Sequence, residues 1–377
     1  MSTNAFLKNE HLNIRIGGEY DATTFTNVSV IIVSYNSANY IRECLNSILR
    51  LTKQPVEIIV FDNASSDGTQ DIIREEYPEV KLIESAANVG FAAANNRAAK
   101  LASGKYLAFL NPDTVVERDW LEPLLKALES QSDIGAVTPM LVLGSDPDRI
   151  NACGNDVHFS GLTYCRDFGV PRYEGEPFEV AAVSGAAFML QKDLFWALGG
   201  FEEYFFIYYE DTDLCFRLRL IGFRCVLVPN SKVRHDYHSV FNAQKIYYLE
   251  RNRLLSIFSL MKCTTLLLML PSLALVEILS WGYCILHGKK TLMAKIAAWR
   301  AVLQNFQWLV RRRRQLSITT SNNDSLLILM THKLKIEYVD ARSKMFLSIL
   351  NLAGWLAGLP FGVWKTCKGM RKERLLE

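Results

Sequence analysis

Between Val28 and Asp113 short apolar runs alternate with stretches of helical periodicity, and this rhythm limits the possible folds more than any other feature of the chain. The runs are Val28 to Tyr35, Val56 to Phe61, Val80 to Ile83 and Tyr106 to Leu110. Between the first two, Ile41, Leu45, Ile48 and Leu49 recur at helical spacing behind Asn39, a residue type that caps helices by accepting a hydrogen bond from a first-turn amide. Strand, helix and strand within about thirty residues is the repeating unit of a parallel sheet covered by helices. The 377 residues leave room for one large α/β domain and an appendage, since domains usually run to about 100 to 250 residues.

Open sheets of this kind bind ligands beyond the carboxyl ends of their strands. Polar clusters stand there, at Asn63 to Thr69 and Asn111 to Thr114, and three carboxylates, Asp62, Asp67 and Asp113, sit at or just after strand ends. A single Asp in such a place serves equally well as a turn former or helix cap; three in series favour a polar ligand. No G-x-G-x-x-G follows the first strand, which disfavours a dinucleotide oxidoreductase. The formal net charge of +3 falls short of the basic excess of a dedicated nucleic-acid binder. Half the residues are hydrophobic and 11% aromatic, which excludes general disorder. The eight cysteines form no C-x-x-C pair, so reduced thiols are expected rather than a zinc or redox motif.

From Glu117 to Val240 short apolar runs are separated by Gly-rich and Pro-rich turns, read as the second half of the same domain. Glu210, Asp211 and Asp213 follow the aromatic run Tyr204 to Tyr209. They fit a solvated helix start, because acidic residues favour a first turn, or a catalytic base.

The motifs VSVIIVSYNS (28 to 37), FDNASSDGT (61 to 69), NVGFAAANN (88 to 96) and FLNPDT (109 to 114) resemble, in order and spacing, the inverting glycosyltransferase family 2. SGAAFML (184 to 190), GGFEEYFFIYYEDTDLCFRL (199 to 218) and VRHDYHS (233 to 239) resemble its rhamnosyltransferase and galactofuranosyltransferase-like branch. The likeness spans roughly Val28 to Leu260. It implies an α/β GT-A fold, a Rossmann-like, mostly parallel mixed sheet flanked by helices. It also implies a pyrimidine nucleotide sugar donor, dTDP- or UDP-linked. Asp62 would accept a hydrogen bond from the base imide, with Val33, Tyr35 and Asn36 beneath the ring; Asp67, Asn88, Gly90 and Asn111 lie in the same nucleotide-sugar motifs. Asp113 would hold Mg²⁺ or Mn²⁺ against the diphosphate, where the cation neutralises charge on the leaving group. Asn111 stands where the family's first carboxylate would be, which implies a weaker protein-only metal site. His235 matches a histidine that completes the metal site, although a lone His is more often a structural hydrogen-bonder. Asp211 would be the base, a role typically contributing about 10² to 10⁴-fold, and Glu210 would orient it or contact the acceptor. Arg251 would contact phosphate or cap packing between domain and appendage.

Beyond about Tyr247 the character changes. Leu266 to Leu286 and Met345 to Trp364 are apolar runs of the length of a membrane span. The first carries Pro271 and Glu277, both awkward in lipid; the second carries Gly354, Gly358 and Gly362, a face for close packing. A nucleotide-sugar enzyme works in the cytoplasm, so if both runs crossed, the twelve Lys and Arg between them would lie outside, against the positive-inside tendency. The first run is therefore expected to lie in the interface or dip in and out, with a basic, aromatic helix from Trp299 to Arg314 on anionic headgroups. Buried core helices are the alternative. The polar stretch Met1 to Asn27 lacks the apolar core of a secretory signal.

The expectation is thus a leader over 1–27, a catalytic domain over 28–245 and a helical membrane-associated region over 246–377. It would transfer a sugar, rhamnose foremost, to a polyprenyl-diphosphate-linked oligosaccharide in cell-surface polysaccharide synthesis. It would do so on the cytoplasmic face of the inner membrane, with membrane lipid as a partner and no nucleic acid. Glycoside hydrolases also use paired carboxylates but need no nucleotide site. Asn111 motivates a further alternative, a catalytically silent nucleotide-sugar-binding or assembly subunit.

Overall fold

A computed structural model describes residues 26–236, 242–317 and 330–331. Nearly all of the expected leader, and the whole run Met345 to Trp364, lie outside the described residues. The chain opens on the expected rhythm: β1 (Val28–Ser34), α1 (Ile41–Leu49), β2 (Glu57–Asp62), α2 (Thr69–Glu76), β3 (Lys81–Glu84), α3 (Phe91–Leu101) and β4 (Tyr106–Leu110). Next come β5 (Thr114–Val116), α4 (Leu121–Ser130), β6 (Ile134–Leu143) and the short strands β7 (Ile150–Ala152), β8 (Asn155–Val157), β9 (Thr163–Cys165) and β10 (Phe178–Val180). Then β11 (Ala187–Gln191), α5 (Lys192–Ala197), a 3₁₀ turn at Glu203–Phe205, α6 (Glu210–Leu220) and β12 (Arg224–His235) lead into four helices, α7 (Ala243–Leu260), α8 (Cys263–Leu286), α9 (Lys289–Gln304) and α10 (Phe306–Ser317).

The main sheet runs β10-β12-β6-β11-β4-β1-β2-β3. β1 pairs in parallel with β2 and β4, and β2 with β3; β11 runs antiparallel between β4 and β6. The result is a mixed α/β sheet. β1 reads VSVIIVS because it is buried on both faces, which removes the polar alternation of a half-exposed strand. Its successive side chains feed two cores: Ile31 and Val33 join Phe109 and Phe188 on one face, Val30 and Ile32 join Ile41, Leu45 and Trp120 on the other. β3 closes one edge with Lys81 and Glu84, charges that discourage further pairing.

One pairing positions the site. β5 runs antiparallel to the end of β12, with Thr114 opposite His235, so residue 113 and residue 235 are brought together from far apart in the chain.

The expected single helix from Trp299 to Arg314 is instead two, α9 and α10, broken at Asn305. The Asn305 side-chain amide donates to the Ala301 carbonyl at 2.8 Å and satisfies a last-turn acceptor that the helix leaves open. Both helices pack on α7.

Candidate active site

The β1–α1 and β2–α2 loops are tied to each other. Asn36, in the left-handed region at φ 52°, donates from its amide to Ser65 Oγ (2.9 Å) and accepts at Oδ1 from the Ser66 amide (2.9 Å). Asp67 accepts the Ala38 amide at Oδ2 (2.9 Å) and the Thr69 amide at Oδ1 (3.1 Å). Burial opposes ionisation of Asp67, but hydrogen bonds from Thr69 and Ala38 outweigh it and hold the carboxyl below its usual range. Asp62 is fully buried. Its Oδ2 accepts from Ser34 Oγ (2.9 Å) and Ser65 Oγ (2.6 Å), its Oδ1 from the Ser65 amide (2.9 Å) and Gln70 Nε2 (2.6 Å).

Behind them Asn63 donates to Asn88 Oδ1 (2.9 Å) and accepts the Val89 amide (2.8 Å), while Asn88 Oδ1 also accepts the Gly90 amide (2.9 Å). Gly90 has φ +86°, and a Cβ there would meet Phe206 Cδ2 at 2.5 Å. Only glycine serves both the conformation and the contact.

Phe206 belongs to a strained turn. Phe206, Tyr208 and Tyr209 all have positive φ, between 67° and 75°, a cost retained only where the surroundings enforce it. The enforcement comes from α7. Arg251 Nη2 donates to the carbonyls of Tyr204 (2.8 Å) and Phe205 (2.9 Å), and the Asn252 amide reaches those of Phe205, Ile207 and Tyr208 at 2.7–3.0 Å. Arg251 is buried and its guanidinium lies over the rings of Tyr204, Tyr247 and Tyr248. Arg251 thus serves the packing between domain and appendage: Nη2 is spent on backbone carbonyls, Nε on Asn252 Oδ1 (2.9 Å), and the side chain lies off the cleft lining.

This turn delivers Glu210 and Asp211 to the start of α6, where helix-terminal amides favour negative charge. Asp211 Oδ2 accepts from the Gly185 amide (2.8 Å) and Asn155 Nδ2 (3.3 Å), and Oδ1 from the Thr212 amide (2.6 Å). Burial raises the Asp211 carboxyl above its usual range despite those donors. Glu210 is pushed much further up, first by burial and then by the charge of Asp211. Asp213, two residues on, faces the cations Arg217 and Arg312.

On another wall Asp113 Oδ1 lies 3.5 Å from His235 Nε2 and is buried without a hydrogen-bond partner among the described residues. His235 Nδ1 faces Asn151 Oδ1 at 2.9 Å. An amide oxygen only accepts, so this contact requires a proton on Nδ1, and Nε2 is the ring nitrogen turned toward Asp113. Asn111 is fixed by its amide to the Ala186 carbonyl (2.9 Å).

These groups surround a cleft of about 1050 Å³. Val33, Tyr35, Asn36, Asn88, Gly90, Asn111, Asp113, Glu210, Asp211 and His235 all line it. Asp62, Asp67 and Arg251 do not: the first two hold loops beneath the lining and the third holds the turn. Asn63 and Asn155 also line the cleft, and Gly185 lies against Asp211 there; read singly, Asn and Gly in loops signal only turns. The far end is walled by Val276, Leu279 and Tyr283 of α8.

Residues 29–199 match the family model described as glycosyl transferase family 2. Over 232 residues the chain is 28% identical to the N-acetylglucosaminyl-diphospho-decaprenol L-rhamnosyltransferase of Mycobacterium tuberculosis, covering 55% of this chain and 75% of that protein. It is 36% identical over 110 residues to glycosyltransferase GlyA of Streptococcus pneumoniae, 28% of this chain and 16% of that one. Among solved structures, GalNAc-T7 with UDP, GalNAc and Mn²⁺ superposes with a TM-score of 0.57 at 16% identity, over 82% of this chain and 57% of that one. S. aureus TarS 1-349 with UDP superposes at 0.50 and 16%, over 87% and 88%. At such identity the structures speak to the fold alone, which is GT-A. Fold and sequence relatives together make this chain a glycosyltransferase. Its residues 29–199 are a glycosyltransferase family 2 domain.

Proposed function

We propose that the protein transfers a sugar, rhamnose in our reading, with inversion, from a dTDP- or UDP-linked donor to a polyprenyl-diphosphate-linked glycan of cell-surface polysaccharide. The observation that carries this reading is Asp211: a carboxylate held by an amide N–H and an Asn side chain, facing the same cleft as the β1 and β2 loops and the Asp113–His235 pair. The acceptor hydroxyl attacks the anomeric carbon while its proton passes to Asp211, and the bond to the nucleoside diphosphate breaks on the opposite side. The donors on Asp211 favour its ionised form and partly offset the burial that raises the carboxyl, and a raised carboxylate is the stronger base. The relative named for rhamnosyl transfer to an N-acetylglucosaminyl-diphospho-decaprenol supports the sugar and the acceptor class.

Asp113 and His235 fit a divalent cation, because a buried carboxylate oxygen without a hydrogen-bond partner among the described residues and an imidazole nitrogen, both metal-ligating types, face each other at 3.5 Å. Among the described residues no group of three or more His, Cys, Asp or Glu is set to hold a metal, so the diphosphate and water would complete the shell of Mg²⁺ or Mn²⁺. The cation would offset charge on the departing diphosphate.

The catalytic domain in this reading is 28–245, and 246–377 attaches it to the cytoplasmic face of the membrane. α8 supports that attachment, since it shares the cleft wall through Val276 and Leu279 and exposes Leu267, Ile278 and Leu286 on the outside. A lipid-linked acceptor would then reach Asp211 without leaving the bilayer.

The test is thermal stabilisation of detergent-purified protein by dTDP-, UDP- and GDP-sugars with and without Mn²⁺, followed by transfer assays with Asp211→Asn. Ligand at about a hundred times its dissociation constant adds about 2.7 kcal/mol. A selective, metal-enhanced shift with one pyrimidine nucleotide sugar, and a loss of about 10²-fold or more in Asp211→Asn, are expected. No shift with any pyrimidine nucleotide favours the silent-subunit reading that Asn111 motivates.

A further inference from the structure

Glu210 is buried to 5% exposure at the first position of α6 and lines the same cleft as Asp211. The other deeply buried acids nearby have cations: Asp213 faces Arg217 and Arg312, and Glu250 faces Arg253 and Lys295. Glu210 has none among the described residues, and its Oε2 is shielded from solvent without any hydrogen-bond partner. An ionised carboxylate in that position has no cation to offset its burial, the amides at the helix start are not enough, and a charged neighbour makes it worse. Asp211 holds the donors that stabilise a charge, the Gly185 amide and the Asn155 and Thr212 groups. Two adjacent acids with such unequal surroundings divide into one ionised and one neutral member. Burial followed by the charge of Asp211 pushes Glu210 up, in the direction the geometry requires.

A neutral acid is a hydrogen-bond donor as well as an acceptor. A purely structural acid would have a protein partner for its O–H; this one lines an open cleft. We propose that Glu210 works as a neutral carboxylic acid whose O–H donates to an oxygen of the acceptor sugar beside the attacking hydroxyl, selecting which hydroxyl reaches Asp211. Asp211 takes the proton of the attacking hydroxyl; Glu210 keeps its own throughout. The inference rests on Asp211 being the base.

The experiment compares Glu210→Gln, Glu210→Ala and Asp211→Asn in initial rates against acceptor concentration and pH, with the product linkage analysed and folding checked by circular dichroism and thermal denaturation. Glutamine keeps a neutral donor of nearly the same size. Glu210→Gln is expected to stay within about fivefold of wild type, and Glu210→Ala to lose about tenfold to a hundredfold, chiefly in acceptor KM and with mixed linkages, as for a lost hydrogen bond to substrate. The wild-type rate falls on an alkaline limb as Glu210 ionises, and that limb is absent in Glu210→Gln. A folded Glu210→Gln as inactive as Asp211→Asn overturns the proposal, because a charge would then be needed. A Glu210→Ala enzyme with wild-type rate and a single linkage overturns it equally. An active Asp211→Asn instead removes the base assignment, a separate failure that the same data identify.

Discussion

Asp62 sits in a ligand motif, yet its oxygens are taken by protein donors and it lies beneath the cleft lining. A carboxylate oxygen accepts about two hydrogen bonds, and the donors from Ser34, Ser65 and Gln70 occupy both oxygens. A base that reached Asp62 would displace Ser65 or Gln70, so the first task of this side chain is to fix the β2–α2 loop. Asp62→Asn places an amide N–H₂ against those donors. It is expected to cost about 1 to 3 kcal/mol in chemical denaturation and to weaken nucleotide binding; unchanged stability would show that the four hydrogen bonds are dispensable. Gly90→Ala is a second case, since the new methyl meets Phe206 at 2.5 Å in a backbone at φ +86°. The strain alone is about 1 to 3 kcal/mol, and the damage should appear as a lower thermal midpoint together with lost transfer, because Phe206 lies in the turn that delivers Asp211. Much of the cleft lining was legible because strand ends in an α/β sheet are fixed by the rhythm of the chain. The supports of Asp211 were not, because Gly185 and Asn155 lie 26 and 56 positions from it and only the folded sheet makes them neighbours.

At the scale of the element, α6 is held from two sides by the helices that follow the sheet. α7 supplies Arg251 and Asn252 to the turn before it, and α10 supplies Arg312, whose Nη1 and Nη2 donate to Asp213 at 3.0 and 2.7 Å. Arg312 is buried and also faces Glu202 at 3.2 Å. The expectation that the basic helix from Trp299 to Arg314 rests on anionic headgroups is corrected for Arg312, and the reason lies in helix geometry: consecutive residues are about 100° apart, so the four from Arg311 to Arg314 cannot share one face. Which one turns inward depends on where α10 docks, and the sequence carries no sign of it. Removing one partner of a buried ion pair typically costs about 3 to 5 kcal/mol. Arg312→Ala should lose stability on that scale and lower transfer without changing nucleotide affinity, because α6 and Asp211 are loosened while the β1 and β2 loops are not. The same network sets an acid limit. Burial opposes the charge on Asp213, but Arg312 and Arg217 overcome it and hold the carboxyl at about 2, below its ordinary 3.8. A depressed carboxyl contributes stability that is fully present above its unfolded value and is lost as pH falls through the folded one. Glu250, held at about 2 by Arg253 and Lys295 against burial, acts in the same window. Denaturation by urea should therefore show stability falling between about pH 4.5 and pH 2, with a shallower slope in Asp213→Asn; an equal slope would detach Asp213 from the acid limit.

For the whole molecule the decisive element is α8. Its 24 residues extend about 36 Å at the usual rise, enough to cross a hydrocarbon core of about 30 Å, and among the described residues it is the helix with the length and composition to do so. Its middle argues against crossing. Glu277 is ion-paired with Arg253 of α7 and with Lys295 of α9 at 2.9 Å, and Trp299 Nε1 donates to it at 3.2 Å. A perpendicular span would carry those partners, and the α7 that grips the catalytic turn, into the hydrocarbon. Lying flat leaves the network beneath the helix and turns Leu267, Leu270 and Ile278 outward, a face suited to the headgroup boundary. Pro271 and Glu277, awkward in a span, are then unremarkable: one bends a surface helix and the other anchors it. Replacing Leu267 and Ile278 together by Glu should weaken flotation with anionic vesicles by about tenfold to a hundredfold for each side chain, since burying one such apolar group is worth about 1.5 to 3 kcal/mol. Turnover of a short, water-soluble acceptor should be unaffected, because neither residue lines the cleft; turnover of a polyprenyl-linked acceptor in vesicles should fall with flotation. If both acceptors are lost together, the face serves the fold of the protein. If neither changes and Lys289→Cys labels only from the opposite side of sealed vesicles to the catalytic domain, α8 crosses the bilayer and the flat arrangement is wrong.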